Sequence, residues 1–291
     1  MTDRKNCVIT GANAGIGRQA ALQIARKGYH VILACRSQER GESALAEVRK
    51  EGGSAELMIV DLSLQESVRS FAAELKGKFA KLDVLIHNAA LFNVTQKEQE
   101  KTTEGVETVW ATNHIGPVLL TDLLMELLKA SDNGRVITIS SQGLMAKPRL
   151  KVDLDDPAFD HRKFNVANAY YQSKRAQVMY TYWLAERLTD TNVTVNSIRV
   201  TAVAVDLSRH NDLGKLARWM YALKSRMSIT PAAMAETYTW MATSPEMNGV
   251  NGKYYNEKRK EVRSVPYCYG SENRNDVMEL TYSFIEARRN E

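Results

Sequence analysis

The sequence predicts an α/β fold in which one doubly wound parallel sheet is covered by helices on both faces. Short apolar runs alternate with longer stretches of helical periodicity along nearly the whole chain. The apolar runs are continuous, as expected for strands that are buried on both faces. The first run leads directly into a glycine-rich turn and a helical stretch, which is how a mononucleotide-binding unit begins.

The elements follow one another in a regular order. Strands are predicted at residues 6–10, 30–35, 55–60, 82–87, 135–140, 193–200 and 252–255. Helices are predicted at residues 15–27, 38–51, 64–79, 103–130, 168–188, 212–226, 231–243 and 273–288. Because no Pro/Gly/Ser-rich linker, repeat or low-complexity tract interrupts the 291 residues, we expect a single domain over 1–291.

Composition argues against several classes of protein. The chain is 44% hydrophobic and 25% charged, which is ordinary for a soluble globular protein. The net charge is +5, but basic clusters such as 258–260 are flanked by acidic residues, so we expect no nucleic-acid partner. No apolar stretch approaches ~18–20 residues and the first strand begins early, so we expect neither a signal peptide nor a membrane-spanning segment.

The cysteines and histidines do not suggest a metal site. Cys7, Cys35 and Cys268 lack the spacing of metal ligands, and the five histidines are scattered. The cysteines are expected to be reduced thiols, which favours a cytoplasmic location.

The turn at 10–17 is typical of a phosphate cradle. It reads Thr-Gly-Ala-Asn-Ala-Gly-Ile-Gly between the first strand and the first helix. Small residues let the backbone approach a pyrophosphate, and the helix N-terminus offers free N–H groups and a partial positive charge. A purely structural turn with three glycines is the alternative.

Tyr170 and Lys174 have the most informative spacing in the chain. Residues four apart on a helix share one face, which places an ammonium beside a phenol. At ~4 Å and an effective dielectric of ~20, this interaction is worth about 4 kcal/mol, or roughly three pK units. The pair therefore predicts a tyrosine pKa lowered toward neutrality, where the phenol can act as a general acid or base.

Together with Asn113 and Ser141, the turn and the Tyr-Lys pair resemble the short-chain dehydrogenase/reductase family over about residues 6–255. The strand end 34–36, the long insertion between Ser141 and Tyr170, and the strand at 252–255 resemble its retinol-dehydrogenase-like branch. The resemblance implies a Rossmann-type sheet of seven strands in the order 3-2-1-4-5-6-7.

The resemblance also implies the catalytic residues Asn113, Ser141, Tyr170 and Lys174. Ser141 would donate a hydrogen bond to the substrate oxygen. Its neighbour Ser140 is expected to hydrogen-bond to the local backbone instead. Asn113 would hold a water that links Lys174 to solvent, although it could also be a tolerated polar residue in a helix.

For the cofactor, the resemblance implies a binding set along the strand ends. Tyr170 and Lys174 belong to it, with the ammonium on the ribose hydroxyls. Its other members are Gly11, Asn13, Ala14, Gly15, Ile16, Gly17, Arg36, Asp61, Leu62, Asn88, Ala89, Ala90, Thr201 and Val203. Asp61 would accept from the adenine amine, unless it or Ser63 caps the next helix. His87 and Ala90 depart from the usual Asn-Asn-Ala-Gly, but we expect the role of this segment to survive.

The second strand ends in Arg36, with no acid before Glu39. NAD-selective sites place a carboxylate at this point, whereas a guanidinium can pair with the 2′-phosphate of NADP(H). Arg18 could add a second charge. The sequence therefore favours NADP(H), with a solvated loop arginine as the alternative.

The segment after the sixth strand departs most from the family. Val200 and Thr201 replace the usual Pro-Gly, and Val205 stands where a threonine normally bonds the nicotinamide carboxamide. Thr201 could supply a hydroxyl instead. The insertion at 146–168 is expected to be a surface excursion near the substrate mouth.

Two further segments complete the prediction. Residues of about 205–230, with an apolar stripe at helical spacing, are expected to form a substrate lid, although such a stripe is more often ordinary core. A C-terminal helical tail is expected over about 270–291.

The function predicted from these residues is NADP(H)-dependent interconversion of a carbonyl and an alcohol on a small, apolar substrate. The alternative is a non-catalytic NADP(H)-binding regulator on the same fold, motivated by the lost Pro-Gly turn. A homodimer is one option for the assembly.

Overall fold

The computed structural model describes residues 4–204 and 228–287. Its seven strands form one parallel sheet with the order β3-β2-β1-β4-β5-β6-β7, as predicted. The strands are β1 (Asn6–Thr10), β2 (His30–Cys35), β3 (Ser54–Ile59), β4 (Val84–His87), β5 (Gly134–Ser141), β6 (Val193–Val200) and β7 (Tyr254–Tyr255). The fold is therefore a Rossmann-type single domain.

The described helices flank the sheet on both sides. They are α1 (Gly15–Arg26), α2 (Gln38–Lys50), α3 (Gln65–Lys78), α4 (Thr108–Trp110), α5 (Gly116–Lys129), α6 (Val166–Arg187), α7 (Pro231–Thr243) and α8 (Ser271–Ala287). A π-helical turn (Ala111–Ile115) joins α4 to α5. The helix predicted at 212–226 and most of the expected lid at 205–230 lie outside the described residues.

Two apolar cores lie on opposite faces of the sheet. Successive residues of β1 face opposite ways, so Val8 packs into one core while Cys7 and Ile9 pack into the other. The first core is covered by α3, α5, α6 and α8, and the second by α1, α2 and α7. Because both faces are covered, the strands contain the continuous apolar runs seen in the sequence.

The helix predicted at 103–130 begins later than expected, at Thr108. The buried carboxylate of Glu107 accepts hydrogen bonds from the N–H groups of Val109 at 2.9 Å and Trp110 at 2.7 Å, which caps the helix there. Burial raises the pKa of Glu107 to about 6.

The insertion at 146–168 lies largely at the surface, as predicted, but is also packed against α6. Val152, Ala158 and Phe159 are buried, and Gln172 of α6 donates to the Pro157 carbonyl at 2.9 Å. Its buried residues therefore anchor the insertion on α6, while its remaining residues are half-buried or exposed.

The expected C-terminal tail is also part of the core where it is described. Within α8, Val277, Met278 and Thr281 are buried, and the Thr281 hydroxyl is 2.8 Å from Nε2 of His114 in the π turn. The three cysteines are free, buried thiols. Across residues 4–204 and 228–287, no helix has the length and apolar composition needed to span a membrane.

Candidate active site and dinucleotide cavity

The glycine-rich turn is too crowded for side chains at two positions. Gly11 has φ +65°, and a Cβ there would lie 2.9 Å from Cα of Ala89. A Cβ on Gly17 would lie 2.6 Å from the Gly11 carbonyl oxygen. Only glycine lets the turn approach the post-β4 segment this closely, so the turn has the tight geometry that a phosphate cradle requires.

The post-β4 segment is hydrogen-bonded to this turn. Asn88 Nδ2 donates to the carbonyls of Thr10 at 2.9 Å and Gly11 at 3.2 Å, and the Ala89 N–H donates to the Thr10 hydroxyl at 3.0 Å. His87 is buried, with Nε2 2.7 Å from the Thr121 hydroxyl, and burial lowers its pKa to about 3. The segment thus keeps its position although His87 and Ala90 depart from the family pattern.

A cavity of about 330 Å³ lies beside the turn, at the carboxyl ends of β1 to β4. Nine of the predicted cofactor residues line it: Gly11, Asn13, Ala14, Arg36, Asp61, Leu62, Asn88, Ala89 and Ala90. Gly15, Ile16 and Gly17 begin α1 next to this cavity. An elongated ligand that follows the strand ends fits these residues.

Asp61 does not cap α3, and neither does Ser63. Asp61 Oδ1 accepts from the N–H of Ser63 at 2.9 Å and from the Ser63 hydroxyl at 2.7 Å. The Glu104 carboxylate instead accepts from the first N–H groups of α3, at Gln65 and Glu66. Asp61 is the acidic residue among the described lining residues of the cavity.

Two exposed arginines, Arg36 and Arg40, line the same cavity. Arg40 was not predicted, although its spacing of four from Arg36 across the start of α2 is a signal that could have found it. Arg18 Nη1 pairs with Glu47 at 3.2 Å, and Arg18 is not among the described lining residues, so its contribution of a second charge stays a prediction.

Ser141, Tyr170 and Lys174 meet at the carboxyl end of β5. Ser141 ends the strand and its Oγ accepts from the Gly143 N–H at 3.1 Å, and the Ser141 side chain lies close enough to Tyr170 to lower the pKa of that phenol. Lys174 Nζ donates to the Ile139 carbonyl at 2.9 Å and lies 5.8 Å from the centroid of the Tyr170 ring. The expectation for Ser140 is wrong, because its Oγ accepts from the Tyr254 hydroxyl at 3.2 Å.

The predicted lowering of the tyrosine pKa is wrong for this arrangement. Burial raises the pKa of Tyr170 to about 12, helped by neighbouring Tyr171 and opposed by the Ser141 hydrogen bond. Burial also lowers the pKa of Lys174 to about 8. Desolvation by burial is therefore the main influence on the pKa of both groups.

Asn113 lies in the π turn between α4 and α5. Its Oδ1 accepts from the Leu91 N–H at 2.7 Å, while its Nδ2 donates to the Leu91 carbonyl at 3.0 Å and to the Ser173 hydroxyl at 3.1 Å. Since these bonds occupy the amide, the visible role of the side chain is to fix Leu91 against α6, and the proton relay stays a prediction.

The segment after β6 holds Thr201 and Val203. The Thr201 hydroxyl donates to Oε1 of Gln142, and Val203 forms a bridge with Ile229. A hydroxyl has one proton to donate, so Thr201 is already engaged as a donor. Val205 lies outside the described residues.

The aromatic ring of Phe92 was missed by the sequence prediction. It stacks on Tyr170 with centroids 4.3 Å apart and an interplanar angle of 23°. It lies in an irregular loop whose path depends on distant contacts, so no local pattern in the sequence indicates this position.

Comparison with known proteins agrees with this geometry. Residues 5–151 match the family described as short chain dehydrogenase. Human retinol dehydrogenase 14 is 36% identical over 273 residues, covering 88% of this chain and 79% of the relative. Human retinol dehydrogenase 13 is 35% identical over 263 residues, which cover 89% of this chain and 78% of the relative.

Solved structures show the same architecture. An uncharacterized protein from Mycobacterium paratuberculosis is 25% identical with a TM-score of 0.72, covering 97% of this chain and 93% of that chain. A second structure, from Beutenbergia cavernae, is described as a putative NAD(P)-dependent gluconate 5-dehydrogenase with bound NADP. It is 26% identical with a TM-score of 0.67, and the match covers 87% of this chain and 94% of that chain.

Proposed function

This chain belongs to the short-chain dehydrogenase family, in its retinol-dehydrogenase-like branch, and we propose that it uses NADP(H) to interconvert a carbonyl and an alcohol. The observation that carries the proposal is the assembly of Ser141, Tyr170 and Lys174 beside the dinucleotide cavity. Leu91 connects these residues to the cavity, because it lines the cavity and packs in the same apolar cluster as Tyr170. This contact supports a reacting carbon near Tyr170 at the end of a bound dinucleotide.

The proposed roles follow from the positions of the side chains. Bound NADPH would supply the hydride. The Ser141 hydroxyl would donate to the substrate oxygen as negative charge develops on it. Tyr170 would give its phenol proton to that oxygen, and at neutral pH a phenol with a raised pKa holds this proton. Buried Lys174 would hold the cofactor ribose, and oxidation of an alcohol would reverse the path.

Arginine placement supports NADP(H). Arg36 and Arg40 line the cavity at the start of α2, where the helix N-terminus adds a partial positive charge. An adenosine 2′-phosphate is a suitable partner for two guanidinium groups.

Arg36→Ala should weaken NADPH binding by about 10- to 100-fold and leave NADH affinity nearly unchanged. A hydrogen bond to a charged group is worth about 1.5–3 kcal/mol, and only NADPH has the 2′-phosphate. Titration calorimetry with both cofactors measures the two affinities. Arg18→Ala is the matched control, because Arg18 pairs with Glu47; equal losses for both cofactors in Arg36→Ala would contradict the assignment.

Most of the affinity for NADP(H) should come from its adenosine half. The Pro-Gly corner is absent and the Thr201 hydroxyl is engaged with Gln142, so nicotinamide anchoring is weak without substrate. We expect 2′,5′-ADP and NADPH to bind within about tenfold of each other, or ~1.4 kcal/mol. Competition of each against a fluorescent nucleotide measures this. A whole-cofactor advantage of about a thousandfold would show that the nicotinamide is anchored by other groups.

A panel of aldehydes, ketones and secondary alcohols, followed at the nicotinamide absorbance, tests the proposed function. NADPH-dependent reduction of at least one carbonyl class is expected. Tight NADPH binding without turnover of any member would favour the non-catalytic regulator instead. The cytoplasmic location and the homodimer stay predictions, which cell fractionation and light scattering address.

A further inference from the structure

We propose that a second cavity, between the C-terminal ends of α1 and α7, binds a small ligand that combines a planar aromatic ring with an anionic group. The cavity has a volume of about 730 Å³, which lies within the range of about 300–1,000 Å³ that is typical of small-molecule sites. Its described lining residues include no member of the proposed catalytic or cofactor-binding set.

This second cavity is separate from the dinucleotide cavity. Helix α1 begins at the glycine-rich turn with Gly15, whereas the second cavity is lined by Gln23 and Arg26 in the last turn of the helix. At 1.5 Å per residue, the 12 residues of α1 span about 18 Å. A small ligand in the second cavity therefore does not reach a dinucleotide at the carboxyl ends of the strands.

The floor of the second cavity is preformed. Gln23 donates from Nε2 to the Ala232 carbonyl at 2.9 Å and accepts from the Thr239 hydroxyl at 3.0 Å, which holds α1 against α7. Tyr29 also lines the cavity and is only 8% exposed. Its hydroxyl forms no hydrogen bond within residues 4–204 and 228–287. A hydroxyl in this position can donate to, or accept from, a ligand.

Trp240 of α7 supplies an aromatic wall. It is half-buried and lines the second cavity. Its Nε1 donates to the Glu246 carboxylate at 2.9 Å, and its ring meets that of Tyr255 edge-on, with centroids 5.2 Å apart and an interplanar angle of 77°. Because these contacts already hold the indole, a ligand ring that stacks on it costs little further side-chain entropy.

The charge of the lining favours an anion. The charged side chains among the described lining residues are three cations and one carboxylate: Arg26, Lys27, Arg259 and Glu236. The C-terminal ends of α1 and α7 each add about half an elementary negative charge, so the surroundings stay positive by roughly one charge. Arg26 pairs with Glu51, and Arg259 pairs with Glu236 at 3.7 Å. Pairs as exposed as these contribute little, so a ligand carboxylate can replace them.

Titration calorimetry of the full chain with three probes tests this ligand class. Indole-3-acetate has both the ring and the charge, indole-3-ethanol has the ring alone, and cyclohexaneacetate has the charge without a planar ring. Indole-3-acetate should bind with a Kd of about 1 mM or tighter, and each of the other two should bind at least about threefold more weakly. Equal affinity for all three probes, or no binding of indole-3-acetate up to about 10 mM, would overturn the proposal.

Two variants locate the bound probe. Arg259→Asn removes one cation, and asparagine tolerates the φ of 58° at this position. It should weaken indole-3-acetate binding by about two- to fivefold and leave indole-3-ethanol binding unchanged. Trp240→Leu should weaken the binding of both indoles by about two- to tenfold. Because Arg259 is exposed, Arg259→Asn keeps the test decisive if Trp240→Leu does not fold.

Trp183→Leu is the matched control for these variants. Trp183 is also half-buried and has an arginine, Arg187, over its ring, but it is not among the described lining residues of the second cavity. Its substitution should leave the affinity for indole-3-acetate unchanged. An affinity for indole-3-acetate that is unchanged in either cavity variant would overturn the proposed site.

The dinucleotide cavity also contains arginines, so it must be excluded as the binding place of the probe. Indole-3-acetate should bind equally well in Arg36→Ala and in the presence of saturating 2′,5′-ADP. Competition by 2′,5′-ADP, or lost binding in Arg36→Ala, would place the probe in the dinucleotide cavity and overturn the proposal. These titrations need no turnover, so their outcome is independent of the proposed function.

Discussion

Replacing Tyr170 with phenylalanine should reduce turnover by at least about a hundredfold, and by up to about ten-thousandfold, while NADPH affinity stays close to that of the unmodified chain. The substitution removes the one hydroxyl that can pass a proton to the substrate oxygen. It keeps the ring that stacks on Phe92 and packs against Leu91, so the walls of the site are preserved.

Tyr171→Phe is the matched control for this prediction. Tyr171 is the next residue of α6, and its ring lies 5.2 Å from that of Tyr170 between centroids. Its ring packs near Gly143 and Lys147. If Tyr171→Phe abolished turnover and Tyr170→Phe did not, the catalytic residue would be misassigned by one position.

The same tyrosine predicts how activity depends on pH. The pKa of Tyr170 is raised to about 12, so below that value the phenol is protonated and competent to donate. Reduction of a carbonyl should therefore be active at neutral pH. Oxidation of an alcohol needs the phenolate, so its kcat/KM should rise with pH through the alkaline range. An oxidation rate that is flat from neutral to strongly alkaline pH would contradict this role.

The fold could be predicted because its signals are local. A strand buried on both faces must be apolar throughout, as in β1 and β5, and a tight turn beside Ala89 must contain glycine. These constraints depend on neighbours in the sequence or on a pattern that recurs in every βαβ unit. The start of α4 was missed because the cap comes from Glu107, a residue type that the usual N-cap preferences do not favour.

The sequence could predict which residues form the site, but not the direction of their pKa shifts. The sequence places Tyr170 and Lys174 on one helix face, but it does not show that Lys174 Nζ binds the Ile139 carbonyl. Depth of burial and the direction of a side chain depend on contacts between distant segments, and these decide the sign of a pKa shift. The same reason explains why Phe92 was missed.

Lys174→Met should abolish efficient turnover and yet increase the free energy of unfolding at neutral pH. Lys174 is 2% exposed, and burial lowers its pKa from 10.5 to about 8. That shift corresponds to a burial penalty of about 3 kcal/mol for the charged form. Methionine removes the penalty at similar volume but leaves the Ile139 carbonyl without its donor, which costs about 1–3 kcal/mol. A net gain on the order of 1 kcal/mol is expected.

The pH dependence of the free energy of unfolding separates the cost of burying the charged lysine from the cost of the lost hydrogen bond. Below pH 8 the lysine is charged in both the folded and the unfolded chain, so the folded state carries the full penalty. Between about 8 and 10.5 the unfolded chain binds more protons, so the stability of the unmodified chain rises with pH relative to Lys174→Met. Urea unfolding of both proteins across this range measures the difference, and Lys76→Met, at a half-exposed lysine, is the control. The difference in the free energy of unfolding should change by about 3 kcal/mol over the interval, so that Lys174→Met is the more stable protein near pH 8 and the less stable one above about pH 10.5. A constant difference would mean that the buried lysine keeps its ordinary pKa.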